Sequence, residues 1–322
     1  MKKFIIYRPF LYFLAGAILL GACRKHDEEK TDTEADLSVL IYIAAENDLS
    51  WYYANDLKQM MEGSKKLSDR QNLLLFVDLA GQETKLIKVA KGDTTCMKTF
   101  DENLNSSDAE TLRTAMEWTM TNYKAKNYGL VLWGHADGWI IENSRTASSR
   151  RKAYGLELHD SRLWMDIPDM ARALESLPRE GNKKPLKFIF ADCCCFQSVE
   201  SDYELRQCAD YIIGSAAEIP GEGAPYQTVI PALFSTSDNF YVQVVDAYFA
   251  QVSDSYRLPM SVVKTSEMDN LAEATRTMLS QHATPIGTGG YPKVDNLIYY
   301  YCKTLFDMND FMLSMDSEND YR

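Results

Sequence analysis

The chain has 322 residues, 46% of them hydrophobic and 25% charged, and a formal net charge of −12. That balance suits a globular protein with material for one large domain or two small ones. The acidic excess argues against nucleic acid as a partner and is compatible with cationic substrates.

The amino terminus reads as an address. Lys2 and Lys3 start it, the apolar run FLAGAILL follows, and LGAC closes it, the plan of a secretory signal. The apolar core is much shorter than the ~20 residues a bilayer span needs. Leu20-Gly21-Ala22-Cys23 resembles the bacterial lipobox, so residues 1–22 are expected to be the signal and Cys23 the lipidated anchor to the membrane. That signal carries Lys2, Lys3 and Arg8 and no acid, which leaves the rest of the chain near −15. Residues 23–36 are charged and lack large apolar groups, as in a flexible tether that cannot offset its ordering entropy. Their acidic patch resembles the export tag of surface lipoproteins in some Gram-negative bacteria. The expected location is therefore extracytoplasmic, lipid-anchored to the outer membrane on its periplasmic face or at the cell surface.

From residue 37 to 322 the pattern is that of a single domain in which strands and helices alternate. LSVLIYIAA reads as a buried strand, LSWYYANDLKQMMEGSKKL as a helix and NLLLFVDLA as a second strand. KLIKVAKGDTTCMKTF predicts a hairpin turning at Gly92-Asp93. Ser107 and Glu110 suggest a capping box for the helix that follows. YGLVLWG is a third core strand, and residues 136–161 read as a long polar connection. A helix capped by Asp166, with Pro168 in its first turn, comes next. PLKFIFA, DYIIGSA and PMSVVKT are further strands. Short apolar strands alternating with helices imply a largely parallel sheet covered on both faces. In such folds functional groups gather beyond the carboxyl ends of the strands, which singles out LVLWGHADGW and KFIFADCCCF.

Four histidines are present, His26, His135, His159 and His282, and only His135 ends a core strand. Cys193, Cys194 and Cys195 cannot all aim at one ion, because consecutive residues on a strand face opposite ways. No second C-x-x-C or H-x-x-x-H supplies the missing ligands, so no metal site is expected. Adjacent-cysteine disulfides are strained. Burial explains some of these thiols, whereas a nucleophile needs one exposed thiol with a partner that favours the thiolate. Spacing alone does not choose among the three.

GLVLWGHADGW followed by FIFADCCCFQSVE resembles the clostripain-type cysteine peptidases, a caspase-like family. Trp133, His135, Gly138 and Trp139 match its W-x-H-G-x-G-W pattern. Asp192, Cys194, Ser198 and Glu200 match its F-D-A-C-L-M-x-S-x-E pattern, with Cys193 at the Ala position and Cys195 at the Leu. LIYIAAENDLSWYYANDLKQM, IIGSAAEIPGEGAPY and LFDMNDFM resemble further family segments. The resemblance implies a caspase-like three-layer α/β/α sandwich and an endopeptidase cutting after Arg or Lys. Cys194 would be the nucleophile and His135 the acid–base, with the N–H groups of Cys194 and Ala136 as oxyanion hole. Asp192 would line the first specificity pocket, taking a guanidinium bidentately or an ammonium. Glu218 could add charge to the pocket wall, although a solvated loop carboxylate is the ordinary reading. Family zymogens cut themselves between the His and Cys motifs, so within SSRRKAYG the Lys152–Ala153 bond is the candidate self-cleavage site; a solvated cationic loop is the ordinary alternative. No cofactor is expected to be required, and calcium is compatible because some relatives bind it. Ala136 stands where the family has Gly, and Ala224 where it has Trp. The competing reading is a catalytically inactive caspase-like surface lipoprotein that binds peptides or a partner protein.

Overall fold

The structure is a computed structural model that describes residues 34–100, 104–139, 154–157, 163–250, 259–281 and 305–315. Cys23, Lys152 and Ala153 lie outside the described residues. The chain begins with β1 (Leu37–Ala45), a 3-10 turn at Asp48–Trp51, α1 (Tyr53–Ser64) and β2 (Gln71–Leu79). A hairpin of β3 (Lys85–Ala90) and β4 (Asp93–Thr99) leads to α2 (Ala109–Asn122) and β5 (Tyr128–Gly134). Then come β6 (Tyr154–Glu157), β7 (Leu163–Met165), α3 (Ile167–Glu175), β8 (Leu186–Asp192), α4 (Val199–Glu204) and β9 (Ala209–Ser215). The last part holds α5 (Tyr226–Leu233), α6 (Phe240–Phe249), β10 (Met260–Lys264), α7 (Met268–Gln281) and α8 (Met308–Met315).

Eight strands form one sheet in the order β10-β9-β8-β5-β1-β2-β3-β4. The five from β9 to β2 run parallel, and β10, β3 and β4 add antiparallel edges. All nine residues of β1 are buried, and the reason is visible in the layers. Leu40, Tyr42 and Ala44 pack with Leu112 and Met116 of α2 and Met170 of α3. Val39, Ile41 and Ile43 pack on the other face with Met60 of α1, Val229 of α5 and Val244 of α6. A strand covered on both faces has no polar alternation to keep. The result is the expected three-layer α/β/α sandwich.

Strand order fixes where a site can form. β1 is followed outward by β2 on one side, while β5 lies on its other side and the chain continues outward to β8 and β9. The β1–β5 boundary is therefore the switch point, where the ends of parallel strands open a crevice. The residues just past β1, β5 and β8 share that end of the sheet.

Three local expectations are corrected. The hairpin turns on Lys91 and Gly92, both at positive φ (52° and 85°), because Ala90 pairs with Asp93; the register places the turn one residue earlier than the Gly-Asp pair suggests. Asp108, not Ser107, caps α2 by accepting from the Glu110 N–H, and Ser107 Oγ instead donates to the Gly155 carbonyl at 2.6 Å. The connection after β5 contains β6, which pairs with β7. Among the described residues no helix is long and apolar enough to cross a membrane.

Candidate active site

β5 and β8 pair in parallel with Trp133 opposite Asp192. His135 and Cys194, each two residues further on, thus leave adjacent strands at the same end of the sheet. The loop after His135 closes directly on the cysteine turn. Gly138 sits at φ +62°, and a Cβ there would stand 2.0 Å from the Cys195 carbonyl oxygen. No other residue allows both that backbone and that approach. Tyr154 holds the base of the loop: its hydroxyl donates to the Tyr42 and Trp133 carbonyls at 2.9 and 3.0 Å, and Gly155 N–H donates to the His135 carbonyl at 2.8 Å.

The three thiols part company at the strand end. Cys193 is buried among the residues of the α2–α3 layer. Cys195 is buried in a left-handed backbone conformation, φ +51°, and its N–H donates to the Ala217 carbonyl at 2.9 Å. Cys194 alone is half-buried. None of the five described cysteines is disulfide-bonded. Cys194 Sγ lies against Ile219, accepting from its N–H at 3.4 Å and donating to its carbonyl at 3.7 Å. Burial pushes this thiol up to about 11; the Ile219 N–H opposes the rise, while the charges of Glu218, Asp137 and Asp192 add to it. At neutral pH it rests as a thiol.

The first turn after β1 supplies a residue that sequence reasoning missed. Asn47 pins this turn, accepting from Leu49 N–H and donating to the Ala44 and Leu156 carbonyls. Asp48 Oδ1 then lies 2.8 Å from His135 Nε2, and that hydrogen bond holds the Asp48 carboxyl below its ordinary value. The ring nitrogen not engaged by Asp48 is Nδ1.

Asp192 is buried under the 218–226 loop. Its Oδ2 accepts from Tyr226 Oη at 2.6 Å and from Ala224 N–H at 3.0 Å. Gly223, at φ +62°, lets the loop pass so close that a Cβ would meet Oδ2 at 2.8 Å. Burial raises Asp192 to about 6, with these two donors holding it down. Because Oδ2 is doubly engaged, Asp192 offers only Oδ1, not the full fork expected of it. Glu218 is exposed at the rim, where its charge reaches Cys194 rather than the pocket floor. Ala136 keeps a negative φ although it replaces Gly, so its Cβ costs no left-handed strain. No described group accepts from the N–H of Ala136 or of Cys194. Among the described residues no group of three or more His, Cys, Asp or Glu side chains could hold a metal ion, so no step below runs through calcium.

The chain matches the clostripain peptidase family over residues 41–320. It belongs to that family. Among solved structures, a secreted C11 cysteine protease from Bacteroides thetaiotaomicron in complex with an irreversible peptide inhibitor is 30% identical, with a TM-score of 0.72 over 88% of this chain and 79% of that one. An inactive zymogen C11 protease from Parabacteroides distasonis is 28% identical, with a TM-score of 0.70 over 89% and 80%. A second secreted C11 cysteine protease from Bacteroides thetaiotaomicron, "iotapain", shares the fold at 20% identity and a TM-score of 0.71, over 89% and 82%. No curated protein gives a match. As a clostripain-family member the chain has cysteine proteases as its relatives, and the fold expected from its motifs is the fold it has.

Other members of the site were written less plainly in the sequence. Asp48 looks like any polar residue at a turn. Asp56 left a clear trace: in YANDLKQMMEGS it shares the buried stripe of α1 with Met60 and Gly63, where an unpaired acid is out of place. Trp133 Nε1 donates to its Oδ2 at 2.9 Å.

Proposed function

We propose that this clostripain-family protein is a cysteine endopeptidase that hydrolyses peptide bonds after Arg or Lys. The observation that supports the reading is that β5 and β8, adjacent and parallel, end just before His135 and Cys194, with the carboxyl group of Asp192 buried at the end of β8. Cys194 Sγ attacks the scissile carbonyl carbon, and its proton reaches the departing amine by way of His135. The developing oxyanion is received by the N–H groups of Cys194 and Ala136. The C–N bond breaks, leaving a thioester. Water then attacks the thioester while His135 takes its proton, and the returning proton restores the thiol as the acid product leaves.

Basic specificity is supported by the sign of the surroundings. Asp137 and Glu218 bear on Cys194, Asp192 lies below it, and Glu222 bears on the buried Asp56. Such a rim draws in cationic peptides and repels acidic ones. Fluorogenic peptides differing only in Arg, Lys, Asp or Ala before the cleaved bond test this. Turnover of the Arg and Lys peptides alone is expected. No turnover of any, even after limited proteolytic activation, would favour the inactive binding lipoprotein instead.

Asp48 fixes the His135 ring. Asp48→Asn is expected to lower kcat about 10- to 100-fold with little change in KM, in steady-state kinetics on the best peptide; an equal loss in KM would refute a positioning role. For self-processing at Lys152–Ala153, support comes from Tyr154, two residues past Lys152, which pairs with Ala136 beside the site. Export and lipid anchoring through Cys23 rest on the amino-terminal sequence. Cys23→Ser should move the protein from the membrane to the soluble fraction, and a mutant that stays with the membrane refutes the anchor.

A further inference from the structure

The geometry points to Asp56 as the second carboxylate of the specificity pocket, supplying the acceptor that Asp192 lacks for a substrate cation. The inference rests on the proposed preference for Arg or Lys. It starts from hydrogen bonds left open. Asp192 has Oδ2 committed to Tyr226 and Ala224, while its Oδ1 is buried with no partner among the described residues. Asp56 has Oδ2 committed to Trp133, and its Oδ1 is likewise buried and unpartnered. The Tyr248 hydroxyl is a third such atom. Buried polar atoms without partners are rare and costly, and these three belong to one neighbourhood.

Several observations bind that neighbourhood together. Trp133, the donor to Asp56, pairs directly across the sheet with Asp192. Tyr226, the donor to Asp192, feels the charges of both Asp192 and Asp56. Tyr248 feels those of Asp192 and Cys194. Burial, then the charge of Asp192, pushes Asp56 up to about 7, Glu222 adds to that rise, and the Trp133 and Asn55 side chains oppose it. Among the described residues no Lys or Arg side chain is a charge bearing on Asp56 or Asp192. Two half-used buried carboxylates, one raised by the charge of the other, suit a cation, and an incoming ammonium or guanidinium brings several donors to three open acceptors. The same cation favours the ionised form of both acids.

A purely structural role, in which Asp56 only anchors the Trp133 indole, makes a different forecast. The test compares kcat/KM for peptides identical except for Lys, Arg or norleucine before the scissile bond. The full-length wild type, Asp56→Asn and Trp133→Phe are each assayed. Asn keeps an oxygen for the indole N–H and removes the charge; Trp133→Phe removes the bond and keeps the charge. Asp56→Ser is the second neutral variant, used if thermal melting shows that Asn destabilises the fold. A neutral residue at position 56 is expected to lower the Lys:norleucine and Arg:norleucine ratios about 10- to 100-fold, while Trp133→Phe leaves them near the wild-type values. Ratios unchanged in the neutral variants, or lowered as much by Trp133→Phe, overturn the inference while the basic preference stands. A wild type without basic preference overturns both.

Discussion

Cys194→Ala is expected to remove measurable turnover of every peptide, a fall of about 10⁴-fold or more, while Cys193→Ala is expected to retain activity. The contrast follows from where the thiols lie. Cys193 is sealed into the α2–α3 layer and can affect stability only. Cys194 is half-buried against Ile219 at the mouth of the crevice. Intact-mass measurement extends the test: the wild type divides at Lys152–Ala153, and Cys194→Ala stays a single chain. Equal cutting of the mutant would mean that another protease makes the break. Residual turnover within tenfold of wild type would mean that the nucleophile lies elsewhere.

Asp192→Asn lowers kcat/KM for Arg and Lys peptides about 10²- to 10³-fold, with a much smaller effect on a norleucine peptide. A pH series sharpens the expectation. With Asp192 raised to about 6 in the free protein, acid solution leaves it neutral and unable to pair with a cation. The basic-to-neutral preference should therefore climb from about pH 5 to pH 7 and then level off. For folding the sign is the opposite. A carboxyl raised above its ordinary 3.8 ionises more readily in the unfolded chain, so the unliganded protein loses stability as pH rises from about 4 to 6. Asp192→Asn removes that loss and should melt higher than wild type at pH 7 without substrate. Equal losses on basic and neutral peptides would show that Asp192 shapes the site without selecting the substrate.

Much of the fold was legible because strands buried on both faces read as unbroken apolar runs, as β1, β5 and β8 do. The position of His135 and Cys194 just past the ends of two such runs was legible in the same way. What stayed hidden depends on contacts between distant segments. Nothing local in AAENDLSW says that Asp48 will meet a histidine from another strand. Ser107 looks like a cap until Gly155, far along the chain, offers its carbonyl and Asp108 takes the capping role. The β6–β7 pair is too short to carry periodicity. Asp56 was missed as well, although an acid sharing the buried stripe of α1 with Met60 is a signal that the sequence carries.

The contact of Gly138 with the Cys195 carbonyl bears on how such a molecule could be switched on and off. It welds the histidine loop to the cysteine turn, with the left-handed Cys195 as the second half of the joint. The turns that carry His135 and Cys194 are thus held together before any substrate arrives. The 218–226 loop contacts both Cys194 and Asp192, so it is the segment a peptide would have to pass to reach them. A propeptide or inhibitor seated on that loop would then act as a doorkeeper.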